Sequence, residues 1–147
     1  MKKLSKYFIV TALLTMMVFV FAGCSEKKEE NNKSTIEEKI VATKTITSND
    51  VIGEYETRFE FTFENGKLTK VINTSELKNE NQAEVFMAAV NASESKSIEG
   101  IEFEQDGKKV IMKMDADTFS SMVNINSETV TKDAIKKDME RKGYTIK

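Results

Sequence analysis

Residues 54–64, EYETRFEFTFE, alternate between charged or polar and aromatic side chains over almost their whole length. Tyr55, Phe59, Phe61 and Phe63 share one parity, and four glutamates with Arg58 take the other. A period of two residues with this contrast predicts a half-buried antiparallel strand. The chain must therefore build a sheet with one apolar face and one solvated face.

Asn65-Gly66 follows this strand, and it is the dipeptide that favours a type I′ turn. The turn pairs Phe63 with Leu68, so the next strand returns in register. Lys70 then falls on the apolar face, which predicts either a β-bulge or a frayed edge at that point.

A second hairpin is predicted around Asp106-Gly107. With these two residues as the turn, Phe103 pairs with Val110 and Glu104 with Lys109. Apolar residues then meet on one face and opposite charges on the other, which favours this register.

The remaining segments predict a further strand over 39–47, three helical segments and a short last strand over 144–146. Asn81 begins a capping box for a helix through Ala92, Asp117 caps a short helical turn, and Thr131 caps a helix to Lys142 that Gly143 ends. We expect an α+β fold, with one antiparallel sheet of two β-hairpins plus edge strands and two or three helices on one face.

The N-terminus has the order of an export signal, with Lys2, Lys3 and Lys6 before an uncharged apolar run over 7–22. This run of 16 residues is short for a bilayer span, which needs roughly 20. It ends in Phe21-Ala22-Gly23-Cys24, which resembles the lipobox of bacterial lipoproteins, although Phe21 replaces the usual aliphatic residue. The alternatives are a cleaved secretory signal with a free thiol and an uncleaved anchor helix.

The lipobox implies cleavage between Gly23 and Cys24 and acylation of the Cys24 thiol. The expected organisation is a signal peptide over 1–23, a lipidated flexible tether over 24–35 and a single α+β domain over 36–147. Cys24 is the one cysteine of the chain, so no intrachain disulfide can form. The expected location is the extracytoplasmic face of a bacterial cell membrane, held by the lipid.

Charge limits the expected partners. From Cys24 onward the chain carries 19 basic and 24 acidic residues, a balance of −5. This balance gives no support to nucleic-acid binding. It also predicts weak repulsion from anionic lipid headgroups.

The segment KSIEGIEFEQDGKKVIMKMDADTF at 96–119, together with FTFENGKLTK at 61–70 and the lipobox, resembles the YehR-like small bacterial lipoproteins. The resemblance implies an exported, lipid-anchored α+β domain. That family has no assigned activity, so the resemblance transfers no functional residues.

The sequence holds no assembled catalytic, cofactor-binding or metal-binding motif. It contains no histidine, which removes the commonest general base and most zinc sites. Two Ser-x-x-Lys spacings, Ser75 to Lys78 and Ser93 to Lys96, lack the partner motifs of penicillin-binding enzymes. Asp115-Ala116-Asp117 begins like a calcium loop but lacks its later glycine and glutamate, so helix capping is the favoured role of Asp117.

Acidic and aromatic residues leave one enzymatic alternative open. Carboxylate pairs suit glycan hydrolysis, but these carboxylates take the solvent-facing parity: Glu54, Glu56, Glu60, Glu102 and Glu104. The aromatic stripe is interpreted as core, or else as the lining of an apolar pocket: Phe59, Phe61, Phe63 and Phe103. The methionines are interpreted as core filler: Met112, Met114, Met122 and Met139.

One charge asymmetry is left. Residues 132–147 carry a net +3 and residues 94–106 a net −4. These segments either steer a partner or face each other across the fold.

The favoured hypothesis is a non-catalytic binding or accessory module of the cell envelope, tethered through Cys24 and recognising a protein or another envelope component. The alternative is a small envelope hydrolase or small-ligand binder that uses carboxylates beside a Phe-lined cleft. A third possibility is a purely structural spacer.

Overall fold

The computed structural model describes residues 35–48, 50–93 and 98–147, so the signal, Cys24 and the tether as far as Ser34 lie outside the described residues. The described strands are β1 (Glu37–Thr47), β2 (Glu54–Glu64), β3 (Lys67–Glu76), β4 (Ile101–Asp106), β5 (Lys109–Asp115) and β6 (Thr145–Ile146). The described helices are α1 (Glu80–Asn91), α2 (Ala116–Val123) and α3 (Lys132–Arg141).

The six strands form one sheet in the order β4-β5-β3-β2-β1-β6. Every neighbouring pair is antiparallel. The buried apolar residues of the three helices pack against the apolar side chains of the strands, so the helices cover one face. This arrangement confirms the predicted α+β class.

The first hairpin has the predicted register. Asn65 and Gly66 have φ values of 50° and 80°, which a type I′ turn requires, and Phe63 pairs with Leu68. The register then shifts by one residue, so that Lys70 pairs with Thr62 and is exposed. Because β3 is an interior strand, the inverted parity of Lys70 is resolved by a bulge and not by a frayed edge.

The second hairpin corrects the predicted register by two residues. Asp106 pairs with Lys109, so Gly107-Lys108 is the turn, and Phe103 lies opposite Met112. Of the two turn residues only Gly107 has a positive φ, 56°, as a type II′ turn requires. Glu104 forms its ion pair with Lys113 instead of Lys109.

Two of the three predicted helix caps are also wrong by two residues. The N-cap of α1 is Asn79, not Asn81, and its side chain accepts a hydrogen bond from the Gln82 amide at 2.9 Å. The N-cap of α2 is Asp115, not Asp117. In each case the helix begins two residues earlier than predicted. The packing of its apolar side chains on the sheet sets this start, and the type of the cap residue alone does not.

The third cap is confirmed, because Thr131 accepts from the Ala134 amide at 3.2 Å. Val130 and Ile135 lie in the same apolar cluster, as a hydrophobic staple requires. Gly143 follows the helix with a φ of 83°.

The core on the covered face has two parts. The larger cluster joins α2 and α3 to the aromatic stripe, with Phe61 and Phe63 fully buried and Phe61 edge-on to Phe119 at 5.8 Å. The smaller cluster joins α1 to the other end of the sheet. Most of the predicted aromatic and methionine core is confirmed as buried, and Phe103 and Met122 are partly buried.

A row of buried polar side chains lies among these apolar residues on the covered face. Thr57, Asn73 and Ser75 are each at most 3% exposed. The Nδ2 of Asn73 donates to the Thr57 hydroxyl at 2.8 Å, which supplies the hydrogen bond that a buried amide needs.

Candidate functional site

The face of the sheet opposite the helices, called the outer face below, has no described helix packed on it. It carries Val41, Thr43, Arg58, Glu60, Ile72 and Ile111, in rows set by the strand pairing. Five of these side chains are half-buried between their neighbours, and Arg58 is exposed. The result is a broad surface of β-branched residues among charges.

Ion pairs cross this surface. Arg58 and Glu60 are 2.9 Å apart, and Lys113 donates to Glu104 at 2.7 Å. The hydrogen bond and charge of Glu104 raise the pKa of Lys113. Exposed ion pairs of this kind are weak because water screens them, so a partner with its own charges can exchange them at low cost.

The candidate carboxylates keep the solvent-facing parity that the sequence predicted. Glu60 is half-buried, and the other four are exposed: Glu54, Glu56, Glu102 and Glu104. The phenylalanines of β2 lie on the opposite face of the same strand, inside the core. The carboxylates and the phenylalanine rings of β2 are therefore separated by the sheet and do not line one cleft.

Two open grooves lie at opposite ends of the strands. One, of about 560 Å³, lies where β2 and β3 meet α1, and Glu54, Glu56, Glu76 and Gln82 line it. The buried Oε1 of Gln82 has no hydrogen-bond partner among the residues that the structure describes. Lys108 donates to Glu76 and lowers the pKa of that carboxyl group.

The second groove, of about 550 Å³, lies beside the bulge, and Lys70, Glu102, Lys113 and Asp115 are among its lining residues. Both signs of charge are present in it. Within the described part of the chain, no group of three or more metal-ligating side chains is placed to hold a metal ion.

The structure separates the first Ser-x-x-Lys pair. Ser75 lies within β3 and is 1% exposed, whereas Lys78 lies beyond the strand end and is exposed. The activating geometry needs both residues on successive turns of a helix, so this pair does not form it. In the second pair, the Ser93 hydroxyl donates to the Val90 carbonyl at 2.6 Å, and Lys96 lies outside the described residues.

The segment that begins like a calcium loop starts a helix. The Oδ1 of Asp115 accepts a hydrogen bond from the Thr118 amide at 2.7 Å. This bond holds the pKa of Asp115 below its ordinary value. Asp117 accepts a hydrogen bond from the Ser127 hydroxyl at 3.1 Å and is not the cap.

Sequence reasoning missed a polar cluster at the C-terminal end of α3. Lys44 lies on the covered face of β1, where its Nζ donates to the Lys142 carbonyl at 2.7 Å and lies 5.5 Å from the Tyr144 ring centroid. Burial raises the pKa of Tyr144 to about 12. Asp138, 5% exposed, forms ion pairs with Arg141 and Lys142.

One signal for this cluster was present in the sequence. Lys44 has the same parity as Ala42 and Ile46, which places its stem on the apolar side of the strand. A lysine in that position must find an acceptor, and the free carbonyls at a helix C-terminus are suitable acceptors.

The two charged segments lie at opposite edges of the sheet. The acidic one includes β4, the first strand in the order, and the basic one includes α3 and β6, the last strand. They do not face each other, because four strands separate β4 from β6.

The predicted lipidation residue Cys24 and the cleavage residue Gly23 lie outside the described residues. Among the residues that are described, no helix is long and apolar enough to cross a membrane.

Neither a protein-family model nor a curated protein matches this sequence. Among solved structures, an NMR structure of a protein from Streptococcus pneumoniae TIGR4 is similar, with a TM-score of 0.45 and 12% sequence identity. The similarity covers 87% of this chain and 95% of that chain. The description of that protein names no activity, and a TM-score at this level supports no inference about the function of this chain.

Proposed function

We propose that the chain is an extracytoplasmic lipoprotein, anchored in a bacterial cell membrane through an acylated Cys24. The support is the order of its parts: a basic start, an apolar run of 16 residues, small residues and one cysteine. The described fold begins only after a polar segment over 25–34, which joins the anchor to the domain. This organisation agrees with the resemblance to the YehR-like lipoproteins.

We propose further that the domain is a non-catalytic binding or accessory module that contacts an envelope component through its outer face. The observation that carries this proposal is the one-sided covering of the sheet. All three described helices pack on one face, and the opposite face presents charged and β-branched side chains to solvent. A broad exposed sheet face suits a protein surface better than a small substrate.

The geometry gives no support to the alternative of a hydrolase with a Phe-lined cleft. Phe61 and Phe63 are 0% exposed and fill the core. The carboxylates of β2 lie on the other face of the sheet, away from these rings. The groove at α1 has carboxylates but no aromatic lining beyond Tyr55.

The anchor is tested by metabolic labelling with an alkyne-bearing fatty acid. The native chain should acquire the label, and Cys24→Ala should not acquire it while keeping its circular dichroism spectrum. Equal labelling of native and variant chains would reject acylation at Cys24.

The contact surface is tested by photo-crosslinking in intact membranes. A photoreactive residue at Thr43 or Thr74, both half-buried on the outer face, should give a discrete and saturable crosslinked species. The double substitution Arg58→Glu and Lys113→Glu should abolish it, whereas Lys78→Glu with Lys108→Glu, an equal change in net charge at two positions outside the strands, should not. A structural spacer predicts no discrete crosslink and no phenotype for either double variant.

A further inference from the structure

The edge of the sheet that receives the tether is the basic edge. The tether enters β1, and β6 and α3 lie beside β1: Thr43 pairs with Thr145, and Lys132 forms an ion pair with Glu38. Residues 132–147 of this edge carry a net +3. Lys136, Lys137 and Lys147 are exposed, and none of the three forms an ion pair within the described part of the chain.

The acidic charges lie far from this edge. Residues 98–106 hold four carboxylates and no basic residue, and they include β4 at the opposite end of the strand order. With about 4.8 Å between neighbouring strands, β4 lies roughly 24 Å from β6. That distance is about three Debye lengths at physiological salt, where one Debye length is about 8 Å.

We propose that the basic edge, Lys136, Lys137 and Lys147, docks on an anionic lipid bilayer and directs β4 away from it. This inference rests on the proposed lipid anchor. The overall balance of −5 suggested weak repulsion, but at a charged surface only charges within about a Debye length are felt. In the docked orientation the nearby charges are the net +3 of residues 132–147, because screening removes most of the repulsion of the β4 carboxylates.

The length of the tether permits this orientation. The eleven residue steps from Cys24 to Thr35 span at most about 40 Å. The 10 residues of α3 extend about 15 Å along the domain, so all three lysines can reach a surface that holds the lipid. The tether keeps the domain at a high effective concentration near the headgroups, so a weak electrostatic contact is sufficient to orient it.

Lysine footprinting on vesicles tests the proposal. A chain that begins at Cys24 keeps every described helix and strand and has a single thiol, which couples to a maleimide-headgroup lipid. Because the coupling is chemical, the result does not depend on whether cells acylate Cys24. The coupled protein is treated with a small amine-acylating reagent on vesicles of phosphatidylcholine, with and without phosphatidylglycerol, and each lysine is quantified by mass spectrometry.

On vesicles with phosphatidylglycerol, acylation of Lys136, Lys137 and Lys147 should slow at least about threefold relative to phosphatidylcholine alone. Lys78 and Lys109 should be acylated at unchanged rates, and about 0.5 M salt should remove the difference. The double variant Lys136→Glu and Lys137→Glu should lose the protection of Lys147, and the matched variant Lys78→Glu and Lys109→Glu should keep it.

Equal rates on both vesicles would overturn the proposal. Protection of Lys78 and Lys109 instead would also overturn it, because it would orient the acidic end toward the lipid. Each result is independent of the fatty-acid labelling of native Cys24.

Discussion

Replacing Thr57 with valine removes one hydrogen-bond acceptor from the interior without changing the size of the side chain. Thr57 is 3% exposed and Asn73 is 2% exposed, and the Asn73 Nδ2 donates to the Thr57 hydroxyl at 2.8 Å. In the variant, this amide keeps only a long contact to the Arg58 carbonyl at 3.4 Å. A buried donor left without a partner costs about 1–3 kcal/mol.

The remaining carbonyl contact places the expected loss for Thr57→Val at about 1–2 kcal/mol. For a domain of this size, that loss lowers the melting temperature by roughly 4–10 °C. Urea unfolding followed by circular dichroism measures it, and the slope with denaturant should not change because the buried surface is the same.

Thr43→Val is the matched control. Thr43 lies on the outer face of the adjacent strand, so the same substitution there should change stability by less than about 0.5 kcal/mol. A double-mutant cycle with Asn73→Ala should show a coupling of at least about 0.5 kcal/mol to Thr57. If Thr57→Val is as stable as the native chain, the buried hydrogen bond does not contribute to the fold as argued.

Three further outcomes are expected. Lys44→Met should lower the free energy of unfolding, measured in urea, by about 1–2 kcal/mol. The variant leaves the carbonyl at the C-terminal end of α3 and the Tyr144 ring without the ammonium group. Equal stability of the two chains would contradict this. Since burial raises the pKa of Tyr144 to about 12 from an ordinary value near 10, the unfolded chain loses this proton first. Stability should therefore be full below about pH 10 and fall as the pH rises toward 12, and Tyr144→Phe should remove that residue's share of the fall. Asp115→Ala should cost about 1 kcal/mol by removing the α2 cap, and Asp117→Ala should cost less than half of that. Because the pKa of Asp115 is lowered in the fold, its contribution should persist at neutral pH and disappear as the pH falls below about 4.

Local signals were sufficient for much of this fold. The alternation in β2, the Asn65-Gly66 turn and the Thr131 cap each combine a residue preference with an adjacent apolar pattern, and each was confirmed. A charged side chain on the apolar face predicted either a bulge or a frayed edge at Lys70, and the interior position of β3 selects the bulge.

Other features depend on contacts that no local pattern contains. A two-residue slip of the second hairpin leaves every side chain on the same face, so periodicity does not detect it. That register is fixed jointly by the turn and by pairing with β3, where Val71 lies opposite Met114. Likewise Asn79 and Asn81 are equivalent as cap residues in the sequence, and packing on the sheet selects between them.

The separation of the two charged segments could be found only from the order of the strands. The sequence shows a basic and an acidic segment, but only the position of β4 and β6 at opposite edges shows that they lie apart. The polar cluster around Lys44 was missed because the acceptor of the Lys44 ammonium group, the Lys142 carbonyl, is 98 residues away along the chain.

The central claim is that this domain acts from a membrane to which its own N-terminus is attached. Mass spectrometry of the protein purified from its native membranes tests it most directly. We expect an N-terminal peptide that begins at Cys24 and carries a diacylglycerol-modified thiol, with residues 1–23 absent. A free Cys24 thiol, or peptides that still include the apolar run over 7–22, would contradict the account.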